Sequence, residues 1–207
     1  MKCLFFIWMI AQLFFCPPER LNAQLPQPTY SGITSGVFNF VAASQRENEW
    51  CWAASIQMVL NYYNVAITQE EIAARTYGLD AYGRMANRGA SHDVITANLN
   101  NWNIDNNGRK YIVQAYFVPG APNASALVNE LSLGHPVIIS YRNYSTPGHV
   151  IVMTACSYYP TPYGPNIQTM IFRDPWPGQQ NVLNKGRVEY LANFAYSITG
   201  CWFVSVQ

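Results

Sequence analysis

The chain has 207 residues, a formal net charge of +1 and only 11% charged side chains. That balance provides no basic stripe for a nucleic acid or an anionic membrane surface, so the expected partner is a protein or peptide substrate and no nucleic acid. Beyond its first two dozen residues the chain is long enough for one folding unit with a real core, expected to be a monomer.

The chain opens on Met1-Lys2, an apolar stretch over 4–15, a break at Pro17-Pro18-Glu19-Arg20 and the small residue Ala23. That layout reads as a secretory signal peptide over 1–23, too short in its apolar part to span a bilayer core, with no integral membrane segment after cleavage. The expected location is secreted or periplasmic. Residues 24–44 carry Pro26, Pro28, Gly32 and Gly36 with little periodicity and read as an extended arm. The remainder, 45–207, reads as the functional domain.

From 51 to 63 the apolar residues Trp52, Ile56, Val59, Leu60 and Tyr63 recur at three and four, which predicts a helix with one buried face. Thr68 followed by Glu71 is a capping box and starts a second helix through about 76. Ser91 caps a third through about 101, and Asn123 a fourth that stops at Gly134. After that the period becomes extended. Runs at 137–141, 149–157, 168–173, 186–190 and 201–206 are rich in β-branched and aromatic residues and separated by Pro/Gly turns. The expected class is α+β, a helical first half packed on an antiparallel sheet.

Five cysteines are present. Cys3 and Cys16 leave with the signal peptide, and an odd number in an exported chain predicts one free thiol beside one disulfide. Cys156 and Cys201, each in a strand-like run near the chain end, are the expected pair. Cys51 has different surroundings. It begins a predicted helix within Trp50-Cys51-Trp52-Ala53-Ala54-Ser55, where unpaired N–H groups, the helix dipole and any neighbouring imidazolium stabilise a thiolate. A cysteine is equally at home as a small buried hydrophobe, so this position alone decides nothing.

Three further residues shift the balance. Gln45 lies on the loop feeding that helix, where its amide can join the Cys51 backbone N–H in an oxyanion hole. His149 follows Thr146-Pro147-Gly148 at a turn-to-strand junction and is the expected general base. Asp174 ends a strand run before Pro175-Trp176; as a neighbour of the His149 strand it is expected to accept the imidazole Nδ1–H and leave Nε2 facing the thiol. Trp52 and Trp176 flank these groups and are expected to contact substrate, Trp176 also covering the His149–Asp174 bond. His92 is expected to be solvated, and His135, between Gly134 and Pro136, is the reserve base. The histidines and cysteines lack zinc-site spacing, so no metal or cofactor is expected.

The order Gln45, Cys51, His149, Asp174 resembles that of the papain-like cysteine peptidases, and Asp174-Pro175-Trp176 resembles their asparagine-serine-tryptophan segment. With Trp50-Cys51-Trp52 and Gly148-His149, the chain is most similar to bacterial branches of that superfamily, effector proteases and the peptidase domains that process bacteriocin leaders. The resemblance covers roughly 45–178. It implies a papain-like fold and a secreted cysteine endopeptidase working through a thioester acyl-enzyme. Two alternatives share the features: a cell-wall amidase or peptidoglycan peptidase, whose cysteine usually follows an aspartate and precedes Ser-Gly, and a papain-like binding module without turnover.

Overall fold

The computed structural model describes residues 27–142, 148–179, 187–190 and 194–207. The predicted signal segment and the first residues of the arm lie outside them. In chain order the elements are β1 (Thr29–Gly32), α1 (Ser35–Asn39), α2 (Cys51–Tyr62), α3 (Gln69–Tyr77), α4 (His92–Leu99), β2 (Val113–Pro119), α5 (Ala124–Ser132), β3 (Val137–Tyr141), β4 (His149–Thr161), β5 (Gly164–Arg173), β6 (Arg187–Tyr190) and β7 (Ile198–Val206). The class is α+β, as read from the sequence.

One antiparallel sheet carries the fold, in the order β2-β7-β3-β4-β5-β6 with β1 also paired to β4. The central strands β3, β4 and β7 are apolar on both faces because both are covered. Ile138, Val150, Val152, Trp202 and Val204 face the core formed with α2, α3 and α4. Val137, Ile139, Ile151, Met153 and Cys201 point the other way, into a core shared with Leu127 and Leu131 of α5. This alternation is the two-residue period of a pleated strand.

The predicted caps form. Thr68 and Glu71 make both bonds of the capping box on α3, Ser91 accepts from Val94 N at the start of α4, and Asn123 accepts from Ser125 N and Ala126 N at α5. At the start of α2 the N-cap residue is Trp50, which supplies no side-chain bond. The first-turn amides of α2 therefore keep their hydrogens available to a ligand.

The arm is not extended throughout. Residues 29–32 pair with β4 and residues 35–39 form α1, whose Phe38 is fully buried. Gly32 makes the pairing possible: at φ 140° a Cβ there would lie 2.4 Å from the Ala155 Cα. β2 also escaped the sequence reading, because this edge strand buries only its first residue fully and shows no clean alternation.

The expected disulfide is a second correction. Cys156 and Cys201 are free thiols. Cys201 of β7 stands level with Ile139 of β3, which stands level with Ile151 of β4, whereas Cys156 lies further along β4. Two strand spacings and that offset put the cysteines more than about 15 Å apart, far beyond the reach of an S–S bond. Both occupy the apolar core beneath α5, so likeness of environment did not bring them together.

Candidate active site

Cys51 is the first residue of α2, half-buried at the edge of a cleft of about 560 Å³. One turn further on, Ser55 Oγ donates to the Val150 carbonyl at 3.0 Å. Val150 follows His149, so this buried bond sets the start of α2 opposite the start of β4. The other cleft wall hangs on the same helix start. The Trp50 indole N–H donates to Ala86 O at 3.0 Å, the Trp52 indole N–H to Arg88 O at 3.1 Å, and Glu49 N to Asn87 Oδ1 at 3.0 Å. Together these bonds hold the loop 86–89 against the thiol. Trp52 is thus a buried strut, 1% exposed, whose contribution to the cleft is to support its wall.

His149 and Asp174 meet because β4 and β5 are neighbours: Arg173 is level with Val152, which carries Asp174 past the strand end toward His149. His149 Nε2 lies 2.7 Å from Asp174 Oδ1, with both side chains buried. The same oxygen accepts the Trp176 backbone N–H at 3.0 Å. The imidazole shares the wall of the cleft with Cys51, whose thiol is close enough to raise the His149 pKa. The ring is therefore turned relative to the sequence expectation: Nε2 serves the carboxylate, which leaves Nδ1 for the thiol. The strand-end carboxylate approaches the far nitrogen of the ring.

Burial pulls the His149 pKa down, but the bonds to Asp174 and Cys51 and their charges outweigh it and raise it to about 9. An imidazole held protonated beside a thiol is the electrostatic partner a thiolate needs. Aromatic edges shield the pair. The Tyr141 ring stands edge-on to His149 at 5.6 Å and the Trp176 ring at 6.3 Å, with Trp176 itself 47% exposed.

Gln45 is close by and buried, and its backbone N–H donates to Pro175 O at 2.7 Å, joining the loop before α2 to the loop after Asp174. Its side chain is oriented differently from the expectation. Both amide hydrogens are engaged on the loop, to Glu47 O at 3.0 Å and Asn48 O at 2.7 Å, and Oε1 is buried without a partner. An amide nitrogen has two hydrogens, so Gln45 braces the turn that delivers Cys51 and reaches an oxyanion only by releasing one of these bonds.

His135 is bound to Glu130 at 2.9 Å and lines a groove with Tyr62 and Tyr63, apart from the cleft. His92, expected to be solvated, instead lines the cleft, its ring 4.8 Å from that of Phe117 and 5.4 Å from that of Trp202. Ser140 and Thr199 stand beside it. The sequence reading missed this group because its members come from α4, β3 and β7, and no spacing along the chain links them. Among the described residues no group of three or more His, Cys, Asp or Glu gathers to hold a metal ion, and no helix is long and apolar enough to cross a membrane.

An α+β fold with a cysteine at a helix start, facing a strand-borne histidine across a cleft, defines a papain-like cysteine protease. The model of the Peptidase_C39 like family matches residues 37–201, and the chain belongs to that family. Among solved structures it is similar to the digestive procathepsin L2 proteinase from the larval midgut of Tenebrio molitor, with a TM-score of 0.50 and 11% identity over 89% of this chain and 70% of that one. It is also similar to a double glycine motif protease from an AMS/PCAT transporter in complex with its leader peptide, with a TM-score of 0.47 and 17% identity over 79% of this chain and 89% of that one. A search of curated proteins found no match.

Proposed function

We propose that the protein is an exported endopeptidase in which Cys51 is the nucleophile, His149 the acid and base, and Asp174 the group that orients the imidazole. The observation that carries this reading is the buried His149 imidazole, bonded to Asp174 and lining one cleft of about 560 Å³ with Cys51. Export is supported by the pattern over 1–23.

The reaction starts from a thiolate and an imidazolium. Sγ of Cys51 attacks the substrate carbonyl carbon and a C–S bond forms. The charge that develops on oxygen meets the open first-turn amides of α2. His149 passes its Nδ1 proton to the leaving nitrogen, the C–N bond breaks and the amine departs. Neutral His149 then takes a proton from water as the water attacks the thioester, and collapse releases the acid and restores the ion pair. Asp174 holds Nε2–H throughout, so the ring cannot turn away.

The test compares wild type with Cys51→Ala on quenched casein and with an epoxide thiol probe. Cleavage and labelling by the wild type alone support the assignment. Equal labelling of both proteins, or a wild type that is neither labelled nor active, refutes it.

A further inference from the structure

The cleft continues from Cys51 and His149 to a floor that the proposed catalytic steps do not use. There Ser140 Oγ is buried and lies 3.2 Å from Gly200 O, 2.9 Å from Thr199 Oγ1 and 3.0 Å from His92 Nε2. A serine hydroxyl has one hydrogen, and a carbonyl can only accept. With that hydrogen on Gly200 O, Ser140 Oγ receives the other two groups as donors, the Thr199 hydroxyl and the His92 Nε2–H. Burial and, less strongly, the Arg142 charge lower the His92 pKa against the opposing Asp93, which favours the neutral ring. We assign the tautomer with Nε2–H on Ser140 Oγ; among the described residues His92 Nδ1 has no hydrogen-bond partner, and in this assignment it and Thr199 Oγ1 keep only lone pairs.

The rim has the complementary character. Arg142, anchored by its backbone N–H to Ser197 O, is an exposed donor and cation at one edge, and Glu49 is a carboxylate at the other. An occupant must therefore donate to the floor, accept at the rim and carry no charge. An aliphatic side chain leaves the floor's acceptors unpaired. A carboxylate sets its lone pairs against theirs and faces Glu49, while an ammonium group faces Arg142.

We propose that this end of the cleft is a specificity pocket for a side-chain carboxamide, a glutamine or asparagine of the peptide substrate close to the scissile bond. Its NH2 group donates to Thr199 Oγ1 and His92 Nδ1, and its carbonyl accepts from Arg142. The inference rests on the reading of Cys51 and His149 as the reacting pair, because they fix where the scissile bond lies.

The experiment selects random hexapeptides on the immobilised full chain carrying Cys51→Ala, and follows hydrolysis of the selected peptides by wild type in parallel. The expected result is one position enriched in Gln and Asn, where exchange for Glu or Met weakens binding at least about tenfold. In the same background His92→Phe and the nearly isosteric Thr199→Val should abolish that discrimination, and Thr199→Ser should keep it. Absence of any Gln or Asn enrichment overturns the proposal, as does a preference that survives Thr199→Val. Carboxamide-selective binding to Cys51→Ala without hydrolysis by wild type supports the pocket and refutes the catalytic reading.

Discussion

Cys51 and the pair Cys156 and Cys201 are the same side chain in two environments. Cys51 stands at a helix start, half-buried, on the cleft that His149 also lines, where it helps to raise the His149 pKa. Cys156 and Cys201 lie fully buried in the core under α5, among residues such as Met170 and Phe172, and burial pushes both thiols up to about 11. In the first place the thiol has an ionic partner and access; in the second it is a small hydrophobe. Reactivity follows from those surroundings.

The strongest way to break this contrast is to exchange the roles. Cys51→Ala should lower turnover by about 10⁴-fold or more, whereas Cys156→Ala and Cys201→Ala should leave it intact. Iodoacetamide on the native protein at neutral pH, followed by peptide mapping, should modify Cys51 long before the other two. Alkylation of Cys156 or Cys201 at a similar rate would mean that the core under α5 opens freely, and the contrast would fail.

A smaller effect isolates the carboxylate. In Asp174→Asn the side-chain oxygen still accepts Nε2–H, so turnover should fall by only about ten- to a hundredfold, the charge alone being lost. Wild type should keep its imidazolium until pH approaches about 9, the value to which His149 is raised, and the basic limb of the rate profile should lie there. Removal of the Asp174 charge moves that limb to lower pH, and an unmoved limb would show that the carboxylate does not set it. Stability obeys the same sign. A histidine raised above its ordinary 6.5 stabilises the fold fully below that value and loses the contribution as pH rises through about 9. Urea midpoints should therefore fall over this window more in wild type than in His149→Gln.

How far the sequence carried the reading depended on whether an interaction was local. The capping box at Thr68, the helix from Cys51 and the strand from His149 lie in short windows, and the structure places them within a few residues of the expected bounds. Gln45, Cys51, His149 and Asp174 were named from order and flanking turns, and the fold brings them to one place. Which way a side chain faces was not legible. The ring of His149 and the amide of Gln45 both point differently because their partners, Asp174 Oδ1 and the carbonyls of Glu47 and Asn48, are fixed by packing. The group of His92, Ser140 and Thr199 was invisible for the same reason, as was the register that keeps Cys156 from Cys201.

Next in size is a test of how tightly the cleft floor is packed. Gly200 precedes Cys201, and a Cβ there would lie 2.4 Å from the Phe117 ring, which in turn packs on His92. Gly200→Ala should cost about 1–3 kcal/mol in urea unfolding as the ring is displaced. A variant as stable as wild type would show that Phe117 moves freely and that the floor is not rigid.

The smallest expected effect returns to the buried thiols. Cys156→Ala removes one sulfur from a packed apolar site and should cost on the order of 1 kcal/mol, the scale of a small cavity. Loss of a disulfide would cost about 2–5 kcal/mol instead. Two measurements separate these cases. Dithiothreitol should leave the wild-type urea midpoint where it was, because Cys156 and Cys201 share no bond to reduce, and Cys156→Ala should be equally stable with and without reductant. A midpoint that drops on reduction, and drops no further in Cys156→Ala, would require the two strands to meet, and with that the register placing β3 between β4 and β7 would have to be wrong.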